Sequence, residues 1–194
     1  MSQTENRPWA LLVIDMQNDF VLPDAVLCVR GALATVPAIA QACDWFRERG
    51  WPVIWVTREH AADGSDVEAM RVALMRRHPF LVPGTPGCEL VAGLEPGAGD
   101  LHVVKRRWSA FLQTELDWIL RRLGVASVAV AGTQIPNCLR ATVYDAISYG
   151  YETVMLSDCC SAQSEEVAES NYRDMRNVGV DCLPLTEFAV RSAS

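Results

Sequence analysis

Residues 127–158 read SVAVAGTQIPNCLRATVYDAISYGYETVMLSD, and this stretch decides the architecture. An apolar, β-branched run at 127–131 breaks at Gly132 into a short loop ending at Asn137. Helical periodicity follows over 138–149, and a second apolar run lies at 153–156. Strand, helix and strand in that order form a parallel pair, because parallel neighbours need a crossover rather than a tight turn. Working outward, the unit recurs. Strands are predicted at 9–14, 52–57, 101–104 and 180–185, and helices at 37–49, 66–77, 115–123 and 165–177. The helix over 37–49 has Pro37 suited to its first turn, Ile39, Cys43 and Phe46 on one face, and Gly50 past its end. The one over 66–77 puts Val67, Met70 and Leu74 on one face. Residues 79–99 are rich in Pro and Gly and read as a long surface loop. Six strands alternating with helices predict an α/β fold with a mostly parallel sheet covered on both faces. The whole of 1–194 reads as one domain, its core at about 9–188.

Composition narrows the function classes. Half the residues are hydrophobic (50%) and 21% are charged, a globular mixture. The formal charge of −7 disfavours nucleic acid and anionic membrane as partners, since both need a basic footprint. Residues 1–8 lack the basic-then-apolar pattern of a signal peptide, and no apolar run has the length of a membrane span. Seven scattered cysteines then read as reduced thiols in a cytoplasmic protein rather than a disulfide framework. There is no C-x-x-C pair, and His60, His78 and His102 lie far apart in sequence, so a zinc site is not expected. No G-x-G-x-x-G opens a helix after a strand and no G-x-S-x-G is present, which sets aside dinucleotide enzymes and serine hydrolases.

Ligands of open α/β sheets bind at the carboxyl ends of the strands. Three chemically distinctive residues sit at such ends. Asp15 follows the first strand, and Lys105 follows the third. Cys138 opens the helix after the fourth. Lys105 is the sole lysine beside sixteen arginines. A lysine differs in being a compact ammonium whose pKa moves readily on burial. A helix start favours thiolate over thiol, which distinguishes Cys138 from Cys43 on an apolar helix face, Cys182 in a strand, and Cys28 and Cys88 in loops. Cys159 and Cys160, after the fifth strand, are the remaining rivals. The stretches 57–60 and 157–158 occupy the same edge. Taken singly, each partner also has a bland reading: a turn aspartate, a solvated lysine, a buried structural thiol.

At these residues the chain resembles the isochorismatase-like cysteine hydrolases, whose members include nicotinamidases, N-carbamoylsarcosine amidases, and ureidoacrylate and biuret hydrolases. Three segments carry the resemblance in order: VIDMQNDF at 13–20, VVKRRWSAF at 103–111 and GTQIPNCLRATVYDAISYGY at 132–151. It implies a three-layer α/β/α sandwich and an Asp15–Lys105–Cys138 triad that cleaves a C–N bond through a thioester. It also implies a cis peptide at Thr133–Gln134, with the Gln134 and Cys138 N–H groups forming an oxyanion hole. Substrate contacts fall to Phe20, Arg58, Trp108, Phe111 and Gln134. Trp108 and Phe111 would supply an apolar wall, and Arg58 or Gln134 would read a carbonyl or carboxylate. The nicotinamidase metal pair Asp-x-His is absent after the second strand, where the chain reads Thr57-Arg58-Glu59-His60, so no metal or other cofactor is expected and C–N cleavage of a small amide or ureide is favoured over nicotinamide. Alternatives are an isochorismatase-type or nicotinamidase-type hydrolase, or an idle domain used for assembly or sensing. The resemblance further implies a homo-oligomer, a dimer or tetramer, acting on a small molecule.

Overall fold

The computed structural model describes residues 8–192. The chain runs β1 (Trp9–Ile14), α1 (Asn18–Val21), α2 (Ala32–Glu48), β2 (Val53–Arg58), α3 (Val72–Arg77), β3 (Leu101–Lys105), α4 (Leu116–Arg122), β4 (Ser127–Thr133), α5 (Arg140–Ser148), β5 (Glu152–Ser161), α6 (Glu165–Asn177), β6 (Asp181–Leu183) and α7 (Leu185–Arg191). Strands pair in the order β3-β2-β1-β4-β5-β6, and every pair is parallel, where the sequence predicted a mostly parallel sheet.

Alternation along the strands makes the layers. Leu11 and Val13 of β1 face a core shared with Val36, Ile39 and Phe46 of α2 and Phe188 of α7. Ala10, Leu12 and Ile14 face a second core with Leu116 and Leu120 of α4, Val143 of α5 and Tyr172 of α6. A sheet between two helical layers is therefore the three-layer sandwich. Each central strand reads as an unbroken apolar run because both faces are covered.

The strand order reverses between β1 and β4, and the carboxyl edge at such a reversal is where open α/β sheets bind ligands. Gly132 makes the close approach possible. Its φ is 118°, and a Cβ on it would lie 2.1 Å from the Ile14 carbonyl oxygen. No residue with a side chain fits at that point.

Several boundaries differ from the sequence reading. Helix α2 starts at Ala32, so Pro37 lies inside it rather than in its first turn. The carbonyl that Pro37 leaves without a donor belongs to Leu33, which is exposed to water. The helix expected over 66–77 is a 3-10 turn at Ala69–Arg71 followed by α3. Asp66 and Glu68 hydrogen-bond elsewhere, Glu68 is extended, and Met70 points to solvent while Met75 is buried. Strand β5 continues through Ser157, Asp158, Cys159 and Cys160, all of which were placed beyond its end. Strands β2 and β3 likewise take in Arg58 and Lys105 as last residues. Residues 79–99 are not simply surface, since Phe80, Leu81, Val91 and Leu94 are buried. The sixth strand is shorter than expected, and α7 after it was not anticipated. Among the described residues no helix is long and apolar enough to cross a membrane. The N-terminal stretch read for a signal lies outside the described residues, except Pro8.

Candidate active site

Asp15, Lys105 and Cys138 come together at this edge. Strand alternation would send residue 15 to the α2 side, but Asp15 has φ 56°, a left-handed conformation that aspartate tolerates better than most residues. That turn brings its carboxylate to Lys105, whose Nζ donates to Asp15 Oδ2 at 2.8 Å. Both side chains are fully buried. Lys105 Nζ also donates to the Arg107 carbonyl at 3.1 Å. Asp15 Oδ1 has no hydrogen-bond partner among the described residues.

Cys138 is 4% exposed and lies in a π-helical turn, Ile135–Leu139, that leads into α5. The turn, not Cys138, opens the helix, so the thiol sits fourth in it. Burial, then the negative charge of Asp15, push this thiol up to about 11, against the opposing charge of Lys105. The expectation of a thiolate favoured by a helix start is therefore corrected. Removing water costs the anion more than the turn's N–H groups and the ammonium return. The rivals Cys159 and Cys160 are buried in β5, where desolvation raises both thiols further.

The peptide Thr133–Gln134 is cis. The Gln134 side-chain carbonyl accepts from Asn137 Nδ2 at 2.8 Å. Two residues without a role in the sequence reading hold this region together. Thr142 Oγ1 donates to the Cys138 carbonyl at 2.7 Å and accepts from Ala110 N–H at 2.9 Å, which ties the loop after β3 to the thiol-bearing turn. Gln17 Oε1 accepts from Arg58 N–H at 2.7 Å, and its Nε2 donates to the Arg58 and Cys88 carbonyls at 2.9 and 2.8 Å. The D-x-Q spacing at 15–17 was the available signal for Gln17. For Thr142 it was the position one helical turn after the thiol.

Of the expected substrate contacts, Trp108 is exposed in the loop after β3. Phe20 is buried in the core beneath α2. Phe111 goes elsewhere: its ring stacks on Tyr149 at 5.3 Å and lies 5.8 Å from Tyr151. Both tyrosines lie at the far end of α5, so Phe111 does not wall the Cys138 end.

Arg58 is also fully buried. Its Nε donates to His60 Nε2 at 3.1 Å, and its Nη2 pairs with Glu68 and reaches the Arg106 carbonyl at 3.4 Å. His60 Nδ1 meets Asp66 Oδ1 at 3.2 Å, which fixes the imidazole as the Nδ1–H tautomer. Burial and then the Arg58 charge hold His60 below its ordinary pKa. Burial works against ionisation of Glu68, yet Arg58 and its other partners keep that carboxyl below the usual range. Both His60 nitrogens are committed, and a buried guanidinium stands beside them. This donor set does not fit a metal ion.

Residues 9–187 match the family model described as the Isochorismatase domain. The chain is 42% identical, over 94% of its length and 95% of the relative's, to a probable inactive nicotinamidase of Arabidopsis thaliana. It is 29% identical to a maleamate amidohydrolase of Pseudomonas putida, covering 86% of this chain and 78% of that one. Among solved structures, an isochorismatase family protein from Desulfovibrio vulgaris superposes with TM-score 0.94 at 51% identity, covering 97% of this chain and 100% of that one.

Proposed function

The chain belongs to the isochorismatase family, and from that premise we propose that it is a cysteine-dependent amidohydrolase cleaving a C–N bond of a small amide or ureide. The observation that carries the reading is the buried Lys105–Asp15 pair, whose carboxylate charge acts on the Cys138 thiol. A buried ion pair adds little net stability, because desolvation offsets the attraction. Its use here is to fix the Asp15 carboxyl group in a buried site.

In this mechanism Asp15 Oδ1 takes the thiol proton as sulfur attacks the carbonyl carbon. The Gln134 and Cys138 main-chain N–H groups receive the oxyanion. The intermediate collapses, the C–N bond breaks, and Asp15 delivers its proton to the leaving nitrogen. Water then attacks the thioester, releasing the acid and restoring the thiol. Lys105 holds Asp15 in place through its Nζ. The carboxylate of maleamate, in the relative's name, agrees with a site that contains a buried arginine. Homo-oligomeric assembly, as dimer or tetramer, belongs to the same reading.

Rapid-quench mass spectrometry tests it. Wild type accumulates an acyl adduct on Cys138 during turnover. Asp15→Asn and Lys105→Ala each slow its formation by about three orders of magnitude or more, and Cys43→Ala, in the α2-side core, leaves it nearly unchanged. An adduct on another residue would remove Cys138 from the mechanism.

A further inference from the structure

The turn that carries Cys138 is not paired as an α-helix. The Gln134 carbonyl accepts from the Asn137 N–H at 3.1 Å and from the Leu139 N–H at 3.3 Å, the second a five-residue step. The Arg140 N–H likewise reaches back five residues to the Ile135 carbonyl. Wide turns of this kind are rare and recur at functional sites. Thr142, fully buried one α-helical turn beyond Cys138, adds a bond from a side chain: its Oγ1 donates to the Cys138 carbonyl at 2.7 Å. That contact alone would be ordinary helix back-bonding. The second one is not local. The Ala110 N–H, 32 residues away in sequence, donates to the same oxygen at 2.9 Å. Ala110 is itself fully buried and lies on the loop after β3. The same loop supplies the Arg107 carbonyl that accepts from Lys105 Nζ at 3.1 Å, and Lys105 Nζ holds Asp15 Oδ2 at 2.8 Å. From the Asp15 carboxyl group to the Cys138 backbone, the contacts therefore run through Lys105, along one short loop, and across one hydroxyl. Its single O–H goes to Cys138 and a lone pair goes to Ala110, so neither bond can be kept by an apolar isostere.

We propose that Thr142 is a positioning residue for the reaction: its hydroxyl sets the Cys138 thiol against the Asp15 carboxyl group by clamping the thiol-bearing turn to the loop that holds Lys105. This rests on the reading of Cys138 as nucleophile and Asp15 as its base, and it adds the device that aligns them. Thr142 acts through Cys138 and needs no contact with the substrate. Alignment is where such a residue has its effect, because a misplacement of about 1 Å can cost about 100-fold in rate.

The test compares Thr142→Val, which keeps the shape and loses the hydroxyl, with Thr142→Ser, which keeps the hydroxyl. On an amide that wild type hydrolyses, Thr142→Val is expected to lower kcat by about 100-fold with KM little changed, and Thr142→Ser to return most of that loss. The second readout needs no substrate: the pH midpoint of Cys138 alkylation by iodoacetamide. Burial and then the Asp15 charge raise this thiol, with Lys105 and Arg58 opposing. A thiol displaced from Asp15 loses the second contribution, so the midpoint falls in Thr142→Val. It falls in Asp15→Asn as well, and adding Thr142→Val to Asp15→Asn moves it little further, since effects that pass through one shared contact do not add. A shift of full size in the Asp15→Asn background would mean that valine merely admits water, and the positioning role would be overturned. Wild-type kcat and midpoint in Thr142→Val, or a Thr142→Ser no better than the valine variant, would overturn it too. If Thr142→Val does not fold, Thr142→Ala carries the same comparison. If wild type hydrolyses no amide, the hydrolase reading falls by itself, and the alkylation cycle decides whether Thr142 aligns the thiol with Asp15.

Discussion

Burial, then the charge of Asp15, hold the Cys138 thiol well above its ordinary pKa, at about 11. The thiolate is the species that alkylates, and its fraction rises about tenfold per pH unit below the pKa. Iodoacetamide should therefore modify Cys138 slowly at pH 7, faster at each step upward, and reach a plateau only near pH 11. A thiol activated by a helix start alone would plateau near neutrality. The sign follows from the raised value: the protonated form dominates until the solution passes it. Asp15 and Lys105 were legible in the sequence because each directly ends an apolar run, where polar chemistry stands out. Phe111 was not, because an aromatic after a motif gives no sign of which way its loop will run. Gln17 and Thr142 were hidden for a related reason. Their work is done through backbone groups, and no pattern of side-chain types announces it.

The elements explain why the strand ends were misjudged. The apolar signal stops where the site begins, but the ladder continues through Arg58, Lys105 and Asp158. The buried Arg58 and Lys105 find partners inside the protein, Arg58 through its Nε and Nη2 with His60 and Glu68 and Lys105 with Asp15, and the exposed Asp158 accepts from the Leu185 N–H. Buried polar groups with partners can extend a strand past its hydrophobic pattern. Helix α7 escaped notice because only Leu185 and Phe188 are buried in it, too few to make a period. The β1–β4 contact depends on Gly132 having no side chain. Gly132→Ala is expected to lower unfolding stability by about 3 kcal/mol or more, from a backbone clash added to a strained φ. Urea denaturation read by tryptophan fluorescence measures this, and a midpoint near wild type would mean that the two strands can separate without cost.

In the whole molecule, one reversal of strand order creates the site, and three segments far apart in sequence meet there. The alternation of strands and helices was enough to recover the α/β class, the layers and the edge where chemistry belongs. Which side chains touch across that edge depended on tertiary contacts such as the left-handed turn at Asp15 and the Thr142 tether. Ammonia release from a panel of small amides and ureides, with wild type beside Cys138→Ala, tests the account as a whole. The expected result is release by wild type from at least one compound, with none from the variant. Release at the same rate by Cys138→Ala would show that the buried thiol is not the nucleophile, and the mechanism built on it would fall.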